Sequence, residues 1–113
     1  MKASPIPAAL WFLASSLSAA ELTGENLRAA CASPAGSKGD LACNAFVAGF
    51  AAGVVAQRLL EIQGYAICVP PGAGVVSSRQ AIQTYLEAHP DLRDVNAAAL
   101  AADALFKAFP CPR

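Results

Sequence analysis

Four cysteines constrain the fold of this chain more than any other feature. Cys31, Cys43, Cys68 and Cys111 span most of its 113 residues. An even number of cysteines in a small exported domain indicates disulfide bonds, because such a domain buries too little surface to be stable unaided. Four cysteines allow three pairings, and sequence alone does not select one. We favour Cys31–Cys43 and Cys68–Cys111, since the first closes a short loop and the second ties the C-terminus to the middle of the chain.

The N-terminal residues predict export. Lys2 supplies a positive charge, residues 8–17 form a short apolar run, and residues 18–20 are small, as signal peptidase requires. A retained membrane anchor is the weaker alternative, since the run is well short of the roughly 20 apolar residues that cross a bilayer. We expect residues 1–20 to be a cleaved signal peptide, residues 21–113 to form one domain, and the mature protein to be periplasmic and free of the membrane.

Composition narrows the classes of partner and cofactor. Eight Lys and Arg balance eight Asp and Glu, so the chain lacks the basic surface that nucleic-acid binding requires. Hydrophobic residues make up 56% of the sequence, which excludes a disordered chain. There is one histidine and no Cys-x-x-Cys pair, so zinc is a poor alternative to disulfides. We expect no metal and no cofactor.

Apolar spacing and capping signals predict an all-α domain of four helices. No segment shows the sustained period-two alternation of a half-buried strand. The long second helix contains an uncharged stretch, Ala45–Ala56, and is therefore expected to be buried nearly all round. In the last helix, Phe106 is expected in the core. The predicted helices are Leu22–Cys31 capped by Thr23, Leu41–Gln63 capped by Asp40, Ser78–Ala88 opened by a capping box of Ser77 and Gln80, and Ala97–Ala108 capped by Asn96.

Small residues form a stripe on the second predicted helix. Ala45, Gly49 and Gly53 recur every four residues, which puts them on one face and lets another helix approach closely. Two interpretations stay open: packing inside the monomer, or a seam for self-association. The Gly-x-x-x-Gly spacing is weak evidence outside membranes.

Groups that could carry catalysis are few. Ser77 or Ser78 with His89 could be drawn as nucleophile and base, but helix capping explains the serines better. Asp91 and Asp94 could be a carboxylate pair, but a solvated loop explains them better. The residues favour a binding protein over an enzyme.

Several motifs, taken in order, resemble the Rap/Tai family of immunity proteins. They are Cys43-x-x-Phe46-x-x-Gly49-x-x-x-Gly53, then Cys68-Val-Pro-Pro-Gly, then Gln80 with Tyr85-Leu-Glu-Ala-His-Pro90, and finally Ala104-Leu-Phe-Lys-Ala-Phe-Pro-Cys111. The resemblance covers nearly all of the mature chain. It implies an exported, helical, disulfide-bonded homodimer that binds and neutralises a peptidoglycan amidase effector of type VI secretion, protecting the producing cell from self-intoxication.

This implied function predicts a steric inhibitor, in which an exposed loop enters the amidase cleft. Acidic side chains there could pair with a cationic cleft, and Leu92 could serve as an anchor. The first choice is the polar stretch between the last two helices: Asp91, Leu92, Arg93, Asp94 and Asn96. The second choice is the end of the long helix: Glu61, Gln63 and Tyr65.

A small periplasmic chaperone resembling the acid-stress proteins is the alternative function. Such a protein exposes apolar surface when its acids are protonated at low pH. Eight acidic residues and one histidine give this chain only modest means to respond in that way. A pH titration with a dye that binds apolar surface discriminates between the two functions.

Overall fold

The computed structural model describes residues 22–59, 67–70 and 74–112, and this part of the chain is predominantly helical. The predicted all-α class with four helices is confirmed. The predicted signal peptide lies outside the described residues. In chain order the helices are α1 (Gly24–Cys31), α2 (Lys38–Leu59), α3 (Gly74–Ala88) and α4 (Ala97–Ala108), with a 3₁₀ turn at Pro90–Leu92.

Side-chain caps begin α1 and α4, as the sequence predicts. Thr23 Oγ1 accepts a hydrogen bond from the Asn26 N–H at 3.2 Å, and Asn26 Oδ1 accepts one from the Thr23 N–H at 3.0 Å. Asn96 Oδ1 accepts from the N–H groups of Ala98 and Ala99. These oxygens satisfy backbone donors that no helical carbonyl reaches, so short-range sequence determines both helix starts.

The start of α2 was predicted three residues too late. The helix begins at Lys38, and Ser37 Oγ accepts a hydrogen bond from the Asp40 N–H at 3.2 Å. Asp40 therefore lies in the first turn, where its Oδ2 accepts from the Gly36 N–H at 2.9 Å. Ser37 does the capping that we assigned to Asp40.

The start of α3 was also predicted too late. The helix begins at Gly74, which has a φ of 58°, so Ser77 and Gln80 lie inside it and do not form the expected capping box. Val75 packs against the core, and Ser78 is fully buried. Burial of these side chains favours a helix that continues beyond the local capping signal.

α2 is buried on one face only, so the expectation that it is buried nearly all round was wrong. Cys43, Val47 and Val54 are at most 4% exposed, whereas Leu41 is 60% exposed and Val55 46%. The stretch Lys38–Gln57 is long and apolar enough to cross a membrane by length and composition, and only 17% of its most apolar window is buried within the protein. The outer side of α2 is an apolar surface that the described residues leave open.

The small-residue stripe lies on this open side of α2. Ala45, Gly49 and Gly53 are all exposed. A Cβ atom added to either glycine would meet nothing within 4 Å. Packing of the stripe against another described part of the same chain, the first of our two interpretations, is therefore wrong.

Two disulfides join the helices in the pairing that we favoured. Cys31–Cys43 links α1 to α2 with its Cα atoms 5.0 Å apart, and Cys68–Cys111 links the segment before α3 to the C-terminus at 4.9 Å. Cys31–Cys43 is buried, and Cys68–Cys111 is half-buried. Beside the second bond, the Cys68 N–H donates to the Phe109 carbonyl at 2.8 Å, and Ile67 is fully buried.

Arg79 holds α3 against the first disulfide. Its guanidinium donates to Asp40 Oδ1 at 2.6 Å, to Asn44 Oδ1 at 2.7 Å and to the Cys31 carbonyl at 2.9 Å. The Gly36 N–H, and after it Arg79, hold the pKa of Asp40 below its usual value. One side chain of α3 is thereby tied to both α1 and α2.

The core lies around α1 and α3, which pack against the inner face of α2 on one side and against α4 on the other. Phe106 was expected there but is 47% exposed, because its neighbour Leu105 takes the fully buried position on α4. The largest fully buried side chains are Leu27, Cys43, Val47, Ile67, Ser78, Ile82 and Leu105.

Candidate partner-binding site

The connection between α3 and α4 contains our first-choice binding residues. His89 precedes a proline, which disfavours helical backbone and ends α3. Pro90–Leu92 then forms a single 3₁₀ turn, and the chain turns again before Asn96 caps α4. We call residues 89–96 the α3–α4 loop.

Backbone hydrogen bonds fasten this loop to the start of α1. The N–H of Gly24 donates to the Val95 carbonyl at 2.8 Å, and the N–H of Glu25 donates to the Arg93 carbonyl at 2.9 Å. Those two N–H groups lie in the first turn of α1, so the loop satisfies donors that the helix itself cannot. A loop held in this way loses little conformational entropy on binding, which favours tight recognition.

Three of the five first-choice residues have structural roles. Leu92 packs against the core and does not project as the expected anchor. Arg93 Nε lies 3.3 Å from Glu25 Oε2, and Asn96 caps α4. Because both side chains of the Arg93–Glu25 pair are partly exposed to solvent, the pair adds little stability.

Asp91 and Asp94 are the residues of this loop that remain available to a partner. Both are exposed, and neither makes an ion pair with another described residue. The other described acids pair with Arg28, Arg79, Arg93 or Lys107. The second-choice residues Glu61, Gln63 and Tyr65 lie outside the described residues, and their role stays a prediction.

A groove of about 600 Å³ runs between α3 and α4 and reaches the loop at His89. Its lining is mainly apolar. The polar side chains along it include Gln80, Thr84, His89 and Lys107. Its small and aromatic lining residues are Ala81, Tyr85, Ala88, Ala104, Ala108 and Phe109.

A hydrogen-bonded cluster links the two walls of this groove. Tyr85 on α3 donates its hydroxyl proton to Asp103 Oδ2 on α4, and Lys107 Nζ lies 3.4 Å from the same oxygen. The bond to Asp103, together with burial, raises the pKa of Tyr85 to about 12. The same bond holds the pKa of Asp103 below its usual value. Tyr85 is therefore a neutral donor and Asp103 an anion across the physiological pH range.

His89 stacks on Tyr85 with ring centroids 4.1 Å apart. Its Nδ1 lies 2.8 Å from the Tyr85 carbonyl oxygen. A carbonyl can only accept, so Nδ1 carries a proton, and in the neutral ring Nε2 is then an acceptor. The tautomer is assigned from this contact.

The serine–histidine alternative for catalysis does not fit this geometry. Ser78 is fully buried. Ser77 and His89 both line the groove, but they are 12 positions apart along and just beyond α3. At 1.5 Å per residue that separation is roughly 18 Å, well outside hydrogen-bond reach. Among the described residues, no group of three or more His, Cys, Asp and Glu side chains could hold a metal ion.

Comparison with known proteins identifies the family. The family model of the Rap1a immunity proteins matches residues 23–111. The chain belongs to this family. The match runs from the Thr23 cap of α1 to the last cysteine, and it therefore includes both disulfides, the α3–α4 loop and the groove. No curated protein and no solved structure gives a significant match.

Sequence reasoning located the loop but missed the groove. Tyr85 on α3 and His89 directly after that helix are four residues apart, as are Asp103 and Lys107 on α4. That spacing places each pair on one helical face, which was a usable signal. Only the packing of α3 on α4 shows that the two faces line the same groove.

Proposed function

We propose that this member of the Rap1a immunity proteins is a periplasmic inhibitor of a type VI secreted peptidoglycan amidase. The observation that carries the proposal is the family match over residues 23–111, together with the loop it contains. The family is one of immunity proteins, and the amidase and the periplasm come from the resemblance described above. The protein would protect its producer from self-intoxication.

The cysteine bonding supports an oxidising compartment. All four cysteines are paired, and none is free. Disulfides persist in the periplasm and are reduced in most cytosols. The proposal therefore requires that the leader, residues 1–20, directs export and is removed.

Inhibition is proposed to be steric. The α3–α4 loop would enter the amidase cleft and keep peptide substrate from the catalytic cysteine and histidine expected there. Its backbone is fixed by α1 before the partner arrives, and Asp91 and Asp94 present two carboxylates free of ion pairs with described residues. Such carboxylates favour a cationic cleft and accelerate association through electrostatic attraction.

The open side of α2 supports the homodimer. Exposed Leu41 and Val55 flank a row of alanines and glycines, which gives an apolar surface over which two helices can approach closely. A contiguous apolar surface of this kind marks a site of association in soluble proteins. We propose that α2 of one protomer packs against α2 of its partner.

Co-expression tests the proposed function. The full chain and the cell-wall amidase that we expect to be encoded beside its gene would be produced together in the same cells, with the amidase directed to the periplasm, and lysis would be followed. We expect lysis by the amidase alone and none with the chain present. Unchanged lysis, with no complex on a sizing column, would contradict the proposal.

A charge reversal tests the choice of loop. Asp94→Arg should weaken the complex by about tenfold or more, because an exposed carboxylate facing a cationic cleft becomes a repelling cation. Glu87→Arg is the control, because Glu87 is exposed on α3 outside the loop, and the ion pair that it loses, with Arg28 at 3.7 Å, is long and partly exposed. Circular dichroism should show both variants folded. An unaltered Kd for Asp94→Arg would place the interface elsewhere.

A further inference from the structure

We infer that the groove between α3 and α4 receives a lysine or arginine side chain of the amidase, its aliphatic part against the alanines and its cationic head beside His89 and Asp91. The inference rests on the proposed function and specifies which chemistry of the partner the site recognises. The α3–α4 loop would then be one part of the contact and the groove the other.

The lining of the groove suits a side chain with an apolar stem and a charged end. Alanines from both helices leave a trough of about 600 Å³, which accepts a long side chain together with part of its backbone. Polar side chains lie at both ends: Ser77 and Gln80 towards the start of α3, and His89 where the α3–α4 loop begins. Lysine and arginine bury their methylene stems along apolar surface and keep the charge at the edge.

The charges around the groove favour a cation. Lys107 would repel one, but its ammonium lies 3.4 Å from Asp103 Oδ2, so these two charges largely cancel. Asp91 has no such counter-ion among the described residues, and it lies close enough to Tyr85 to contribute to raising the pKa of that phenol. The residual charge at the loop end of the groove is therefore negative.

His89 adds an acceptor at the same end. Its Nδ1–H is taken by the Tyr85 carbonyl, so the Nε2 lone pair is left to accept a hydrogen bond. A guanidinium or ammonium group supplies donors only and fits this combination of carboxylate and imidazole nitrogen.

A groove-filling substitution tests the proposed occupant. In Ala88→Trp, an indole at the exposed end of α3 would occupy the groove beside His89. The matched control is Ala99→Trp, because Ala99 is exposed on α4 and does not line the groove. Calorimetric titration with the cell-wall amidase that we expect beside the gene should show binding about tenfold weaker or more for Ala88→Trp and an unchanged Kd for the control.

A charge substitution tests whether the occupant is cationic. Asp91→Asn keeps the shape of the side chain and should weaken Kd about tenfold at low salt, with the difference shrinking as salt screens the pair. Glu87→Gln, on the exposed end of α3 outside the groove lining, should leave Kd unchanged.

The outcomes separate the two proposals. If Ala88→Trp binds the amidase as tightly as the wild-type chain does, the groove is not a contact. If Ala88→Trp weakens the complex but Asp91→Asn leaves its Kd unchanged, the occupant of the groove is not a cation. If the wild-type chain forms no complex with the amidase, the proposed function and this inference fall together.

Discussion

Replacing glycine by alanine at three positions of α2 should have opposite effects on stability. Gly49 and Gly53 lie in the helix interior, and a Cβ there would meet nothing within 4 Å. Alanine is about 1 kcal/mol better than glycine in a helix, so each substitution should raise the free energy of unfolding of the monomer by about that amount. In Gly39→Ala the new methyl would lie 2.7 Å from Ser33 Cβ, and this overlap should lower the free energy of unfolding by roughly 1–2 kcal/mol.

The same substitutions should affect self-association differently. If α2 packs against α2 of a second protomer, the added methyl groups of Gly49→Ala and Gly53→Ala hold the helices apart, and the dimer should weaken about tenfold or more. Gly39→Ala, at the start of the helix, serves as the control for a general loss of stability.

Two measurements decide this prediction. Urea unfolding should be followed by circular dichroism below the dimer Kd, because the stability of a dimer includes its association. Sedimentation equilibrium then measures the Kd itself. Destabilised Gly49→Ala or Gly53→Ala monomers would show that the outer side of α2 is covered. If the monomers are stabilised and the dimer Kd is unchanged, the dimer interface does not lie on α2.

The disulfides and the tyrosine cluster give two further predictions. Replacing both cysteines of Cys68–Cys111 by alanine should lower the free energy of unfolding by about 4 kcal/mol, because this bond closes a loop of 43 residues. Replacing both cysteines of Cys31–Cys43, which are 12 residues apart, should lower it by about 3 kcal/mol from loop closure, and further through the lost packing of two buried sulfurs. Urea unfolding measures both, and a Cys68–Cys111 variant as stable as wild type would contradict the loop-closure argument. In Tyr65→Phe the one remaining tyrosine, Tyr85, should titrate near pH 12 by ultraviolet absorbance, and adding Asp103→Asn should bring its pKa towards about 10. Because the pKa of Tyr85 is higher in the folded than in the unfolded chain, the hydrogen bond contributes fully to stability below pH about 10, and this contribution is lost as pH rises through about 12. Titration of Tyr85 near pH 10 in the Tyr65→Phe chain would refute the hydrogen bond.

Short-range signals predicted those parts of the fold that depend on neighbouring residues. Thr23 and Asn96 cap their helices because a side-chain oxygen reaches backbone N–H groups two or three positions away. The same reasoning misplaced the start of α3, where burial of Val75 and Ser78 outweighs the capping box. Capping signals are worth about 1 kcal/mol, which tertiary burial exceeds.

Burial of α2 was mispredicted for a related reason. A helix with a long uncharged stretch must cover its apolar surface in water, but the sequence does not state what covers it. Within the described part of the chain, the inner face meets the core and the outer face meets no other helix. Packing against a second chain would remove this apolar surface from water, just as packing against a core does.

The loop that holds the first-choice residues was predicted in position but not in detail, and its role in binding stays a prediction. The polar stretch after His89-Pro90 was recognisable as a loop from its composition. The roles of Leu92 and Arg93 depend on the core and on Glu25, which is distant in sequence, so no local pattern could assign them. Asp91 and Asp94 became the favoured contacts only after these side chains were placed.

Titration of purified amidase with the oxidised mature chain tests the central claim most directly. Release of peptide from peptidoglycan should fall linearly and reach zero when inhibitor and enzyme are equimolar, and the Asp94→Arg chain should require an excess. Full amidase activity in a large excess of folded, disulfide-bonded chain would contradict the account.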